Sequence, residues 1–534
     1  MRDSPPATAG NDDLGDWHCI ATSLPFLLNS LIVAKGKVFL IGAGPGDPGL
    51  ITLKGRDWLN KADVVVYDAL VNSHLLEEAK PGAVKIFVGK RGGQHAKEQR
   101  EINDLLVKQA QRGRLVARLK GGDPLLFGRG GEEAAYLHEH HIAFEIIPGV
   151  TSASGAAAYA GIPLTDRRLS SMITMVTGHE GDGKNLSPVE WSRISRKSTL
   201  VIFMGLDQLP TITERLLHHL WDAELPAAVI RWGSTAHQEI VEGTLGDIAE
   251  KAREAEMTSP VLIIIGDVVR LRKKIRWFDT KPLFGKKIVI TRTLEQAPEF
   301  ARLLEEAGAE VLSFPTIQIL PPKSWEAADQ AIHDITQYDW LLFTSVNGVR
   351  AFFNRLKILG SDIRELKGIR IGAIGPKTSA RLTDFGLKVD AFPDEYRAEA
   401  LADVIGQVKD CRVLLARAAE ARDVLPDTLQ ERGATVTIAP VYRTIKTRRI
   451  AGDVKKRLLA QEIDVVTFTS SSTVDGFMQH FSSREKRRIF EKAKAAAIGP
   501  ITAGTLKEHG VRPAIRAPSY TIEALARSIV KYFV

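Results

Sequence analysis

The C-terminal half of the chain repeats itself, and no other feature restricts the fold as tightly. Lys287–Arg292 (K-I-V-I-T-R) is echoed by Arg412–Arg417 (R-V-L-L-A-R), and Glu305–Pro315 (E-E-A-G-A-E-V-L-S-F-P) by Gln430–Pro440 (Q-E-R-G-A-T-V-T-I-A-P). Phe343-Thr344-Ser345 returns as Phe468-Thr469-Ser470, and Ala373–Thr378 (A-I-G-P-K-T) as Ala497–Thr502 (A-I-G-P-I-T). The offset is 125 residues at Arg292/Arg417 and Thr344/Thr469 (417 − 292 and 469 − 344) and 124 at Pro376/Pro500 (500 − 376). A near-constant offset over four landmarks means duplicated units of βα type. Two similar α/β lobes with a cleft between them is the architecture expected of residues 284–534.

The N-terminal half has no such period. It is organised around Val38–Leu50, V-F-L-I-G-A-G-P-G-D-P-G-L. An apolar run breaks into glycines and prolines, which reads as a buried strand ending where backbone must come close to something. Lys120–Glu133 (K-G-G-D-P-L-L-F-G-R-G-G-E-E) follows the apolar run Leu115–Leu119 and is a second such loop; Ile147–Ser154 (I-P-G-V-T-S-A-S) is a third. Three small-residue loops at strand ends predict a cleft at the carboxyl edge of an α/β sheet. Further apolar runs at Val64–Tyr67, Val84–Val88, Leu200–Met204, Ala227–Arg231 and Val261–Ile265, with helical spacing over Glu101–Gln111, predict α/β with a parallel-rich sheet. Asp68 follows the first loop at about the distance of the ribose acid in a dinucleotide fold, which would make this half a nicotinamide oxidoreductase. Asp47 breaks that fingerprint, because it stands where G-x-G-x-x-G needs its third glycine. Asp68 reads equally as a helix N-cap after a strand.

Residues 36–279 resemble the uroporphyrinogen-III C-methyltransferases of the tetrapyrrole methylase family. The three loops carry the likeness, together with V-G-K-R at Val88–Arg91, G-I-P-L-T at Gly161–Thr165 and M-G-L at Met204–Leu206. The resemblance implies the tetrapyrrole methylase fold, two α/β subdomains parting near Pro148–Ala153 with S-adenosylmethionine between them. It implies a cofactor set of Pro45, Gly121, Gly122, Asp123, Leu126, Thr151, Ser152, Met204 and Gly233. It also makes Asp68 a candidate general base and Lys90 a candidate proton donor. The implied substrate carries eight carboxylates, so cations on the loops are candidates to bind it: Arg91 and Arg129 first, with Arg118, Arg167 and Arg168 beside them. Each reads equally as a surface charge.

Residues 284–534 resemble uroporphyrinogen-III synthase through T-S-x-x-x-V, I-G-P-x-T and V-Y-R-T. In that family the lobes exchange strands, so a lobe need not be one continuous repeat. The implied reaction closes hydroxymethylbilane into a macrocycle with one ring inverted, losing water and needing no cofactor. Tyr442 is the candidate proton donor. Ser345, Thr378, Ser470 and Thr502 (with Ser471) are candidate hydrogen-bond donors to substrate carboxylates, and Arg292 and Arg417 candidate carboxylate holders. The hydroxyls read equally as helix N-caps. A non-catalytic two-lobed binding module is the alternative for this half.

Composition bounds the rest. With 534 residues, 44% of them hydrophobic, two to four domains are expected. The net charge of +8 favours anionic partners. The expected ones are small-molecule tetrapyrroles, with neither nucleic acid nor membrane; the basic run from Arg270 to Arg276 is too short and isolated for the former. Only Cys19 and Cys411 are present, which excludes a disulfide framework and fits a cytoplasmic location. Residues 1–35 read as a disordered or loosely packed extension, 36–270 as the methyltransferase domain, and 271–283 as a solvated basic linker. The resemblance further implies a homodimer formed through the methyltransferase domain. No cluster with metal-ligand spacing is evident in either half.

Overall fold

The computed structural model describes residues 36–89, 98–178, 189–293, 296–394, 398–421, 423–447 and 452–534. The N-terminal extension, Lys90 and Arg91 lie outside the described residues. The chain divides into two compact units, the first ending at Trp277 and the second beginning at Phe278.

The first unit holds two five-stranded sheets in series. The first sheet contains β1 (Lys37–Gly42), β2 (Val64–Tyr67), β3 (Val84–Phe87), β4 (Leu115–Lys120) and β5 (Ala143–Ile147) in the order β3-β2-β4-β1-β5. All its pairings are parallel. Both faces are covered, by the cluster around Leu40, Val66 and Leu106 on one side and that around Phe39, Leu59 and Leu119 on the other. Two-sided burial explains why these strands read as continuous apolar runs rather than alternating ones.

The second sheet contains β6 (Ile173–Thr177), β7 (Thr199–Phe203), β8 (Pro226–Arg231), β9 (Glu239–Thr244) and β10 (Val261–Ile265), ordered β6-β7-β10-β8-β9. Here the parallel-rich expectation fails. Only β6–β7 is parallel; β7–β10, β10–β8 and β8–β9 are antiparallel. The short link from Arg231 to Glu239 is the reason at β8–β9, because a parallel return needs a crossover of a dozen residues or more. The helix Ser152–Ala160 between the sheets buries Ala153, Ala156, Ala157 and Ala160 against Val201, Ala228 and Ile230, and so packs on the second sheet.

In the second unit the strands are β11 (Lys287–Ile290), β12 (Glu310–Ser313), β13 (Ile317–Leu320), β14 (Trp340–Phe343), β15 (Arg370–Ala373), β16 (Arg412–Ala418), β17 (Thr435–Lys446), β18 (Val465–Phe468), β19 (Lys494–Ala497) and β20 (Ile515–Arg516). They form two sheets, β12-β11-β18-β19-β20 and β13-β17-β16-β14-β15. The repeat is visible in the neighbours: β12-β11-β18-β19 corresponds strand for strand to β17-β16-β14-β15. Each lobe therefore takes its first two equivalent strands from one copy and the next two from the other. The chain leaves the first lobe after β12 and re-enters it at β18. All pairings are parallel except β13–β17. Each sheet is sandwiched by apolar clusters, around Phe300 and Phe477 in the first lobe and around Phe352 and Leu401 in the second.

The basic stretch after Val269 is not a solvated linker throughout. Arg272 is 5% exposed, ion-paired to Glu242 at 2.8 Å and bonded to the Ala160 carbonyl. The Trp277 indole donates to the Ala158 carbonyl at 3.0 Å.

Candidate active sites

In the first unit the three small-residue loops meet at the carboxyl edge of β1, β4 and β5. Gly44 and Gly122 exchange two backbone hydrogen bonds, of 3.2 and 2.7 Å. Gly149 abuts both loops: a Cβ there would collide with the Gly122 carbonyl and lie 2.6 Å from Gly42 Cα. Gly122 has φ +70°, which any side chain would strain. The close approach these glycines permit is loop against loop, and Gly44 and Gly122 line a cavity of about 230 Å³. All nine cofactor positions expected from the sequence line it, from Pro45 through Gly121, Gly122, Asp123, Leu126, Thr151, Ser152 and Met204 to Gly233. Asp68 lines it too.

Asp123 holds the loops together. Its Oδ1 accepts the Leu125 and Leu126 N–H groups at 2.8 and 3.2 Å, and Oδ2 accepts that of Gly149 at 3.0 Å. A carboxylate has about four acceptor positions, so about one remains for a ligand. Asp68, at the end of β2, accepts the Leu70 N–H at 3.1 Å on Oδ1, while its Oδ2 faces Arg118 Nη1 at 3.6 Å. Thr151 caps the helix Ser152–Ala160 through the Ala153 N–H.

A buried charge cluster backs the cavity, and the sequence reading missed half of it. Glu133 is fully buried. Its Oε1 accepts Lys120 Nζ at 2.8 Å, Arg118 Nε at 3.3 Å and Gln99 Nε2 at 3.1 Å. Lys120 lines the cavity. Burial pulls its pKa below the ordinary lysine range and neighbouring Arg118 adds to the fall, while Glu133 works against both. Lys120 opens the K-G-G-D loop, which was the one available signal for it. The cavity wall also includes Phe127, Phe203, Trp232 and Leu262. Phe127, Met204 and Trp232 adopt left-handed backbone, with φ of 54°, 51° and 47°. Non-glycine residues in that region cost about 1–3 kcal/mol each and cluster at functional sites. Nothing in local sequence announces them.

None of the described loop arginines weighed for substrate carboxylates lines this cavity. Arg129 is not in the cavity; it pairs with Glu132 at 2.8 Å on the helix surface. Arg167 and Arg168 are exposed. Arg118 is buried and turned toward Glu133 and Asp68.

In the second unit a cavity of about 260 Å³ is lined by Arg292, Gln296, Lys377, Ser470, Thr473 and Tyr520, among others. Lys377 comes from the second lobe and the rest of these from the first. Two of the sequence candidates, Arg292 and Ser470, are here. Burial lowers the Arg292 pKa, with Glu299 and Glu523 opposing. Its Nη2 donates to Gln296 at 3.0 Å, and its buried Nε has no protein partner. Sequence reasoning misses Lys377 and Tyr520; Lys377 stands inside I-G-P-K-T, where the motif points only to the threonine.

Ser345, Thr378, Thr502, Arg417 and Tyr442 do not line this cavity. Ser345 and Ser470 are helix N-caps at equivalent repeat positions, accepting from the Gly348 and Thr473 N–H groups at 3.0 and 3.2 Å. Thr378 and Thr502 are buried within their helices, 4% and 3% exposed, and neither lines this cavity. Arg417 is buried and paired with Asp423 at 2.5 Å, beside a register shift in β16. Tyr442 lies in β17, 9% exposed, its hydroxyl 3.0 Å from Ser345 Oγ. Burial raises its pKa, so it holds its proton more firmly than a free tyrosine.

Residues 37–249 match the family described as Tetrapyrrole (Corrin/Porphyrin) Methylases, and residues 298–527 that described as Uroporphyrinogen-III synthase HemD. Over 500 residues the chain is 37% identical to the Porphyrin biosynthesis protein HemD of Ruminiclostridium josui, covering 93% of this chain and 98% of that one. It is 38% identical to the uroporphyrinogen-III C-methyltransferase of Bacillus subtilis over 369 residues, 69% of this chain and 75% of that. Among solved structures, the uroporphyrin-III C-methyltransferase of Thermus thermophilus complexed with S-adenosyl homocysteine is 40% identical. It covers 44% of this chain and 100% of that one, with a TM-score of 0.38.

Proposed function

The chain belongs to the tetrapyrrole methylases through residues 37–249 and to the uroporphyrinogen-III synthases through residues 298–527, and from that premise we propose how its two sites divide the work. It is a bifunctional enzyme of tetrapyrrole biosynthesis, a uroporphyrinogen-III synthase joined to a uroporphyrinogen-III C-methyltransferase. The second unit closes hydroxymethylbilane to uroporphyrinogen III; the first methylates that product twice, giving precorrin-2.

The first-unit cavity suits S-adenosylmethionine. Phe203, Ile230, Trp232 and Leu262 offer an apolar wall for a purine, Asp123 keeps an acceptor position for a hydroxyl or amine, and Asp68 and Asp123 place negative charge near a cation. When bound, this donor supplies an electrophilic methyl group on a sulfonium. The protein supplies orientation, which is the larger part of catalysing an in-line displacement. Asp68 accepts the proton released as the macrocycle is methylated, through the oxygen that faces Arg118. Lys120 adds positive charge at the cavity wall for an anionic ligand. Lys90 and Arg91 remain proposals from the resemblance for proton donation and substrate carboxylates.

In the second unit the task is conformational. The enzyme must hold a flexible, anionic bilane so that inverted closure outruns simple closure. Arg292 and Lys377 grip carboxylates from the two lobes, with Ser470 beside them. The hydroxyl of the bilane leaves with a proton as water as the new carbon–carbon bond forms. Tyr442, kept protonated by burial, assists that departure as a hydrogen-bond donor.

One observation supports the methyltransferase reading above all: nine positions chosen from five separate stretches of sequence border a single cavity. The test is one incubation of the full chain with hydroxymethylbilane, with and without S-adenosylmethionine. Type III uroporphyrinogen without the donor and a doubly methylated product with it is the expected result. Type I isomer alone would refute the synthase reading, and failure to methylate authentic uroporphyrinogen III would refute the other.

A further inference from the structure

Behind the first-unit cavity, four residues close a hydrogen-bond circuit that joins its two sheets. The Tyr159 hydroxyl donates to Asp47 Oδ2 at 2.5 Å. The Asp47 N–H donates to Ser234 Oγ at 3.2 Å. The Ser234 N–H donates to Gln238 Oε1 at 3.0 Å, and Gln238 Nε2 returns to the Tyr159 carbonyl at 3.3 Å. Ser234 and Gln238 are 2% and 5% exposed, so the bond between them is shielded from water, while the bonds to Asp47 and Tyr159 are partly buried. The members come from three places: the loop after β1, the helix Ser152–Ala160, and the loop between β8 and β9.

Every arm of the circuit is continuous with cavity wall. Asp47 is two residues from Pro45, Tyr159 is on the helix that supplies Ser152 and Ala156, and Ser234 adjoins Trp232 and Gly233. The packing is equally tight. A Cβ on Gly155 would lie 2.5 Å from the Pro45 ring, and one on Gly46 2.5 Å from Thr235 Cγ2. The circuit also reaches the end of the unit, because the Trp277 ring packs edge-on against Tyr159 at 5.0 Å.

We infer that Asp47, Tyr159, Ser234 and Gln238 are positioning residues that lock the two sheets at the spacing the methyl donor requires. This rests on the cavity being the S-adenosylmethionine site. None of the four lines the cavity, so each acts through neighbours that do. It also gives Asp47 a purpose: the residue that breaks the dinucleotide fingerprint carries the carboxylate on which the latch closes.

The test is calorimetric titration of S-adenosylhomocysteine into the full chain. Tyr159→Phe removes one charge-assisted bond, and the expected result is an affinity about tenfold weaker. Asp47→Ala should weaken it similarly, and Asp47→Asn, which retains an acceptor, by no more than about threefold on the same reasoning. The Tyr159→Phe/Gln238→Leu double variant should fall short of the product of the single effects, because the circuit fails as a unit. Should Tyr159→Phe not fold, the Asp47 pair carries the test alone. Wild-type affinity in Tyr159→Phe, or in Asp47→Ala if that is the variant available, overturns the latch and leaves the site assignment standing. So does a lowered melting temperature with unchanged affinity, which is what mere packing would give. If the wild-type chain binds no S-adenosylhomocysteine, the site assignment itself falls and the latch with it.

Discussion

Replacing Glu133 by alanine tests whether the charge cluster is held together as described. The side chain is fully buried and stands against two cations that are themselves 4% and 5% exposed, Arg118 and Lys120. Its removal leaves two adjacent positive charges without their shared counter-ion. Breaking a buried ion pair by removing one partner costs about 3–5 kcal/mol. That is a large share of the roughly 5–15 kcal/mol that holds a domain folded. For a unit of this size each kcal/mol moves the melting temperature by about 2–4 °C, so a fall of about 6–20 °C is expected. The assay is thermal unfolding by circular dichroism on the full chain, following the transition that S-adenosylhomocysteine shifts. A double variant, Glu133→Gln with Lys120→Met, should recover part of the loss, because one of the two unmatched cations goes with its partner and Arg118 keeps Asp68. The pH dependence has a definite sign. Lys120 titrates below its ordinary value in the folded state because it is buried. Between that lowered value and the ordinary one near 10.5, the unfolded chain binds more protons, so stability rises with pH. Losing Glu133 lowers the folded pKa further and widens this window. The Glu133→Gln deficit should therefore shrink as pH rises from 7 toward about 10. A Glu133→Ala melting temperature within 2 °C of wild type, or a deficit that grows with pH, would refute the argument.

Two further outcomes follow from the same geometry. Asp68→Asn should lower methyl transfer by about 10²–10⁴ while S-adenosylhomocysteine binding and bilane cyclisation stay intact, read from initial rates of both activities. Gly149→Ala puts a methyl group against backbone that cannot yield, at Gly122 and Gly42, so it should cost about 1–3 kcal/mol in thermal unfolding and greatly weaken S-adenosylhomocysteine binding.

Much of this was legible before any coordinates. Val64–Tyr67 and Val261–Ile265 read as strands and are strands with those bounds, since a short apolar β-branched run has few other uses. The repeat offset located equivalent strands in both lobes. What stayed hidden was non-local. Glu133 reads as an ordinary first-turn acid of a surface helix; only the strand that places Arg118 and Lys120 beneath it makes it a buried hub. Arg417 and Arg292 occupy equivalent repeat positions, yet Arg417 lies within β16 and is captured by Asp423, while Arg292 lies beyond β11 and lines a cavity. Thr378 and Thr502 stand at equivalent repeat positions and are both buried in their helices, which no local pattern in the sequence reveals. The left-handed turns at Phe127, Met204 and Trp232 are imposed by the surrounding fold on residues with no preference for them. The antiparallel half of the second sheet was misjudged because a buried central strand such as β10 is apolar in either direction.

The crossing of the chain between the two lobes of the second unit sets an order of events during synthesis. Thr467 of β18 bonds the backbone of Val289 in β11, 178 residues earlier. At about 5–20 residues per second, β11 waits on the order of 10–35 s for that partner to leave the ribosome. Every strand of the lobe between them, β13 to β17, is made in the interval and can fold as an insert. The lobe that begins first is thus completed last, and until then its opening apolar strands are the part of the nascent enzyme most in need of protection from aggregation.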